Sequence, residues 1–302
     1  MKMLPGCIPC LVKMSITTAR IGRGNQDQIY RSAKAALKIL HQGDFNFPAP
    51  YFSAPILRAV EGVLKSKDPF EHPKRISNQA GIKLAKELGI PYVEKGRDQK
   101  ERIFRALRAS IAGNIADYAV VPDLEGKIED KLREAFKLEF SWLDFERFLQ
   151  KLAKARKVLY ICDNAGEIAF DRILIEELSK LGKKVMVSVK SGPALNDALM
   201  ADALMVGLDR IDGVKLITTG QAMMGVDLKS AGKEFQQAFK EADLILAKGQ
   251  ANFECLAGRD GKIFFLTLIK CQALEEKLGL KKGSAIFASG EMVIKKVERL
   301  KG

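Results

Sequence analysis

Histidine is nearly missing from this chain of 302 residues: His41 and His72 are the only two. Neither falls in the polar segments that matter below, so a His-based nucleophilic triad or a His-ligated zinc hydrolase has no candidates. Cysteine is also scarce, with five residues, an odd number that makes no disulfide framework in a chain this long. Cys7 and Cys10 form a single CxxC without a second pair. It reads as two small apolar residues at a helix start, with metal or redox use as the alternative. Aromatic residues make up only 7% and include one Trp, and no RNP1-like stacking motif is present. No apolar run approaches the roughly 18 residues of a membrane span. The first residues are broken by Pro5, Gly6, Pro9 and Lys13, which argues against a signal peptide and makes the cytoplasm the default expectation.

What is plentiful is charge. The net value of +13 invites a nucleic-acid partner. The lysines, however, stand beside glutamates along helical faces, as in 125–137 and 229–241, the pattern of a solvated surface that is also usual in hyperthermophile proteins. An anionic small substrate fits this excess equally well, and nucleic acid is disfavoured.

Two rhythms divide the chain. Residues 1–155 carry helical spacing, with Ile29, Ala33, Ala36, Leu37 and Leu40 on one face, and similar stretches at 55–64, 82–88, 103–111, 128–136 and 143–152. No strand is evident there, so an all-helical N-terminal domain is expected. From 156 to 302, short apolar runs rich in β-branched residues occur at 158–162, 185–189, 214–218, 244–247 and 263–267, mostly separated by helical patterns. One βα unit per step, with strands buried on both faces, predicts a three-layer αβα domain around a mainly parallel sheet. Segments 285–288 and 292–294 read as a final short strand or hairpin.

Ligands of such sheets sit outside the carboxyl ends of the strands, and there the sequence puts its polar groups. Asp163-Asn164-Ala165-Gly166-Glu167 follows the first run. Lys190 to Asp197 follows the second, Thr218-Thr219-Gly220 the third, Lys248-Gly249-Gln250-Ala251-Asn252 the fourth, and Lys270-Cys271 the fifth. Asp163, Asn164 and Asp197 offer two carboxylates and an amide oxygen, a donor set for a hard divalent cation. Each segment also has a plain reading. Asn164 and Asn196-Asp197 suit helix caps, Lys248-Gly249 a strand end before a left-handed glycine, and Glu167 a helix-dipole partner. It is their convergence on one edge that favours a site. Competing motifs are absent: only Gly166 remains of a G-x-G-x-x-G, there is no P-loop, and Ala165 stands where an Asp-x-Asp phosphatase needs its second Asp.

Taken with Ala112-Gly113-Asn114-Ile115-Ala116-Asp117 and Cys7-x-x-Cys10, these motifs resemble the damage-control phosphatase family. It was long catalogued as domain of unknown function 89 and includes a protein once called acidic residue methyltransferase 1. The CxxC is similar to its prokaryotic and archaeal subgroup. The resemblance implies a metal-dependent phosphatase of small phosphorylated metabolites, with a helical N-terminal domain and an αβα domain. It implies Mg²⁺, Mn²⁺, Co²⁺ or Ni²⁺ on Asp163, Asn164 and Asp197, with Lys248 joining these three in catalysis. Substrate contacts would come from Asn114, Glu167, Lys248, Gly249, Asn252 and Lys270. Eukaryotic members tend to carry an acidic residue where Gln250 stands, so their preferences do not transfer. A methyl-transfer role finds no Gly-rich loop after the first strand. The alternative function is non-enzymatic binding of a nucleotide or phosphometabolite on the same rim.

Overall fold

A computed structural model describes residues 1–114, 128–259 and 261–299. Its seven strands are β1 (Phe140–Leu143), β2 (Lys157–Ile161), β3 (Lys184–Val189), β4 (Val214–Thr218), β5 (Leu244–Lys248), β6 (Ile263–Leu268) and β7 (Ala285–Ser289). They form one sheet in the order β1-β7-β6-β5-β2-β3-β4. The five strands from β6 to β4 are mutually parallel, whereas β7 is antiparallel to β6 and carries β1 parallel to itself. The chain steps from β2 outward to β4 and then returns to place β5 on the other side of β2. That reversal opens a crevice between the carboxyl ends of β2 and β5.

The helices before the sheet are α1 (Cys7–Ile21), α2 (Gln26–Gln42), α3 (Pro50–Leu64), α4 (Glu71–Leu84), α5 (Ile90–Glu94) and α6 (Gln99–Ala112). They are followed by α7 (Ile128–Ala135), α8 (Phe145–Lys154), α9 (Ile168–Lys180), α10 (Met200–Met205), α11 (Lys233–Glu241), α12 (Gln250–Leu256), α13 (Gln272–Leu278) and α14 (Gly290–Arg299). Alternation along the strands explains why both sheet faces need cover. Val158 and Tyr160 of β2 join Leu244 and Leu246 in a core with α6, α8 and α9. Leu159 and Ile161 face the opposite way, with Ile245, Ala247 and the Phe235, Phe253 and Leu274 side chains of α11, α12 and α13. A third, smaller core holds α1, α2 and α3 together through Leu11, Ala36, Leu40, Ile56 and Val60. Among the described residues no helix is long and apolar enough to cross a membrane.

The αβα architecture and mainly parallel sheet agree with the sequence reading. Two local expectations need correction. Phe140–Leu143, in the part expected to lack strands, is the edge strand β1. Only Trp142 of its four residues is buried, too little pattern to announce a strand. Residues 292–294 belong to helix α14, not to a strand or hairpin.

Candidate active site

At the crevice the backbone itself draws two corners together. Asn164 and Asp197 form an isolated antiparallel bridge. The Ala198 N–H donates to the Asp163 carbonyl at 2.8 Å and the Ala165 N–H to the Asn196 carbonyl at 2.8 Å. The capping roles that the sequence allowed are therefore not taken. Helix α9 starts at Ile168 with Glu167 at its cap, and α10 starts at Met200 after Leu199. Asn164 instead donates its side-chain N–H groups to Asp163 Oδ2 at 3.0 Å and Glu167 Oε2 at 3.2 Å. From the helical half, buried Asn78 of α4 accepts from the Gly166 N–H at 2.8 Å and donates to Asp202 at 2.6 Å, clamping the same turn.

Gly249, first residue past β5, has φ +82° and ψ 161°, a region essentially reserved for glycine. A Cβ there would lie 2.0 Å from the Asp163 carboxyl carbon. The strand reversal thus presses the β5 corner against the Asp163 carboxylate, and only glycine permits that approach.

Electrostatically the crevice holds a buried acidic pair with lysine charges beside it. Burial pushes the Asp163 carboxyl well up, and the neighbouring Asp197 and Glu167 charges add to it. Burial likewise raises Asp197, to about 6, although Lys190 opposes the shift. The Lys190 ammonium lies 3.5 Å from Asp197 Oδ2, an ion-pair distance, and donates to the Gly225 carbonyl. Asp197 Oδ2 is buried and makes no hydrogen bond. That oxygen thus has Lys190 as its charge partner but no hydrogen bond, so its desolvation is only partly offset.

Behind this pair sits a second network, centred on Lys248. Lys248 is fully buried, and its ammonium donates to Glu167 Oε1 at 2.6 Å, Asp171 Oδ1 at 2.5 Å and the Ser110 carbonyl at 3.2 Å. Burial disfavours its charge, but Asp171 and Glu167 outweigh that and hold its pKa above the ordinary lysine value. Burial would raise Glu167; the Lys248 and Lys270 charges overcome it and bring the carboxyl below the usual range. Asn114 donates to Glu167 Oε2 at 2.7 Å.

A cavity of about 510 Å³ opens over the acidic pair, lined by Asp163, Asn164, Asp197 and Lys270. The remaining substrate-contact residues read from sequence stand beside or behind the acidic pair, not on the cavity wall. Asn114, Glu167, Lys248, Gly249 and Asn252 do not line it. Lys248 and Asn252 are wholly enclosed, the latter donating to the Cys162 and Lys248 carbonyls. A lysine at a parallel strand end can aim at the rim or back under the sheet; here Asp171, one turn along α9 from Glu167, draws it inward. Asp117 lies outside the described residues. Absent from the sequence reading of the site are Asp171 and the cavity wall from Pro9, Leu11, Pro50 and Met224. Lys190 follows the second parallel strand, but nothing local in the sequence marks it as facing Asp197. Among the described residues no three His, Cys, Asp or Glu side chains gather as metal ligands.

Fold and site together define an α/β protein with a buried acidic crevice at its topological switch point. The damage-control phosphatase ARMT1-like domain matches residues 3–286, and the chain belongs to that family. It is 32% identical to a damage-control phosphatase of Pyrococcus horikoshii, over 95% of this chain and 97% of that protein. It is also 32% identical to a damage-control phosphatase of Archaeoglobus fulgidus, over 99% and 100% of the two chains. A crystal structure of a DUF89 family protein from Pyrococcus horikoshii superposes with a TM-score of 0.86 at 30% identity, covering 96% of this chain and 99% of that one. These relationships support a phosphatase.

Proposed function

We propose that this chain is a phosphomonoester hydrolase of small phosphorylated metabolites that works with a divalent cation on Asp163, Asn164 and Asp197. The observation that carries this reading is the Asn164–Asp197 bridge, which draws Asp197 to the Asp163–Asn164 corner and so gathers two buried carboxylates and an amide at one strand-end crevice. The residues fit a hard dication. Burial raises the pKa values of both carboxylates, and the amide nitrogen of Asn164 is the atom bonded to its neighbours, leaving its oxygen as a donor. Once bound, such an ion offsets phosphoryl charge and activates water.

The chain's own side chains account for the rest. Lys270 faces the cavity from the β6–α13 loop and supplies positive charge for a phosphate. Lys190 braces Asp197 from behind. Lys248 and Asn114 keep Glu167 ionised and fixed, so they act as positioning residues. The Pro9, Leu11, Pro50 and Met224 wall keeps water from the part of the substrate beyond the phosphate. Asp163 serves either as a donor to the cation or as the attacking group; rapid-quench trapping of a phosphorylated Asp163 distinguishes the two.

The test is hydrolysis of an aryl phosphate. Chelation with EDTA silences the protein, Mn²⁺, Co²⁺ or Ni²⁺ restores it, and Asp163→Ala lowers turnover by about 10³-fold or more at unchanged circular dichroism. Turnover that survives chelation, or full activity in the variant, contradicts the proposal. Tight retention of phosphometabolites without phosphate release would favour a binding protein instead.

A further inference from the structure

The cavity has a feature that phosphate chemistry does not use: three thiols on its wall. Cys7, Cys10 and Cys271 all line it, together with Asp163, Asp197 and Lys270. Cys10 is exposed and Cys7 half-buried, whereas Cys162 and Cys255 are buried away from it. The three are close enough to sense one another's charge, Cys7 with both Cys10 and Cys271, and Cys10 with Cys271.

Helix geometry decides which of them can pair. Cys7 and Cys10 occupy the first turn of α1, and an i, i+3 separation in a regular helix puts their Cα atoms about 5 Å apart, inside the span a disulfide bridges. Cys271 is held by other contacts. It lies at the cap of α13, and its sulfur meets the Gln250 amide nitrogen at 3.4 Å. The Gln250 oxygen in turn accepts from the Lys270 N–H at 2.9 Å. The residue that caps the dithiol turn also packs on the first turn of α13, since a Cβ on Gly6 would stand 3.4 Å from the Cβ of Ala273.

We propose that Cys7 and Cys10 form a thiol–disulfide exchange site, which takes low-molecular-weight disulfides and restricts the phosphate cavity when oxidised. The restriction, though not the exchange, rests on the phosphatase reading above. Cys10, the exposed thiol, attacks one sulfur of the small disulfide and releases one small thiol. The mixed disulfide then places its substituent in the cavity. Cys7 attacks the Cys10 sulfur, forming the Cys7–Cys10 bond and releasing the second small thiol. The protein loses two electrons and two protons, and the small disulfide is reduced to two thiols. Burial pushes both protein thiols up, so exchange quickens as pH rises and the thiolate fraction grows.

The experiment exposes the full-length protein to glutathione disulfide, quenches with an alkylating reagent and maps tryptic peptides without reduction. The segment from Met3 to Lys13 holds both residues and is expected unalkylated and lighter by two hydrogens, with Cys162 and Cys255 unchanged. Aryl phosphate kinetics of the same sample should show a severalfold rise in KM, reversed by dithiothreitol. Cys10→Ser should lose that sensitivity when compared with its own reduced state. A Met3–Lys13 peptide recovered fully alkylated, or linkage of Cys271 in its place, overturns the exchange site. Cys7–Cys10 linkage with unchanged KM overturns the restriction. Peptide mass reads the pair whether or not the reduced protein hydrolyses any ester, so failure of the phosphatase reading is separately visible.

Discussion

At the scale of single residues, Gly249 and Lys248 carry the site in opposite ways. Gly249 acts by what it lacks. Alanine there meets a backbone conformation that costs about 1–3 kcal/mol and places a methyl group 2.0 Å from the Asp163 carboxyl carbon. Gly249→Ala is expected to lose stability by about that amount in urea denaturation and hydrolysis by about 10²-fold or more. A variant with normal kcat would mean that Asp163 has room to move. Lys248 was legible in the sequence as a functional lysine at a strand end, but its direction was not. The side chain runs under the sheet because Asp171 and Glu167 wait there, and partners 77 and 81 residues away in sequence leave no local trace. Removing one member of a buried charged cluster costs about 3–5 kcal/mol. Lys248→Met should therefore be destabilised by that order in a denaturant titration. A pure loss of phosphate binding at unchanged stability would contradict the buried placement.

At the scale of elements, the central strands β2, β3, β5 and β6 were readable because each is a short apolar run largely buried on both faces. Helix capping was less so: Asn164 and Asp197 have the composition of caps, yet their backbones pair with each other. A pattern of residue types does not say whether a polar corner serves its own helix or a neighbouring loop. Helix α9, which brings Glu167 and Asp171 to the site, is fastened to α6 by Arg102, whose guanidinium donates to both Glu177 oxygens at 3.0 and 2.7 Å. Burial would raise Glu177, but Arg102 and Lys180 outweigh it and bring its pKa below the ordinary value. A depressed folded-state pKa gives stability that is complete above the unfolded value of about 4.3 and fades as pH falls through the lowered one. Glu177→Gln should thus be less stable than the native chain by about 1–2 kcal/mol at pH 7. The gap should narrow on acidification below about pH 4. Urea titrations at the two pH values measure it, and a difference independent of pH would mean that charge plays no part in the fastening.

At the scale of the whole molecule, the crevice exists because of strand order, which no local pattern encodes. The sequence shows five corners with polar residues; it does not show that β5 returns beside β2 and pushes Gly249 onto Asp163. It also does not show that α1 and the start of α3 wall the cavity, because that contact joins residues far apart in the chain. The convergence of Asp163, Asn164 and Asp197 was legible, since each follows a recognisable strand of one parallel set. The most direct measurement is a crystal structure grown with Mn²⁺ and read by its anomalous signal. One manganese peak is expected at about 2.2 Å from oxygens of Asp163, Asn164 and Asp197. A peak elsewhere, or none at these side chains with the protein saturated in Mn²⁺, would contradict a cation site at the switch point.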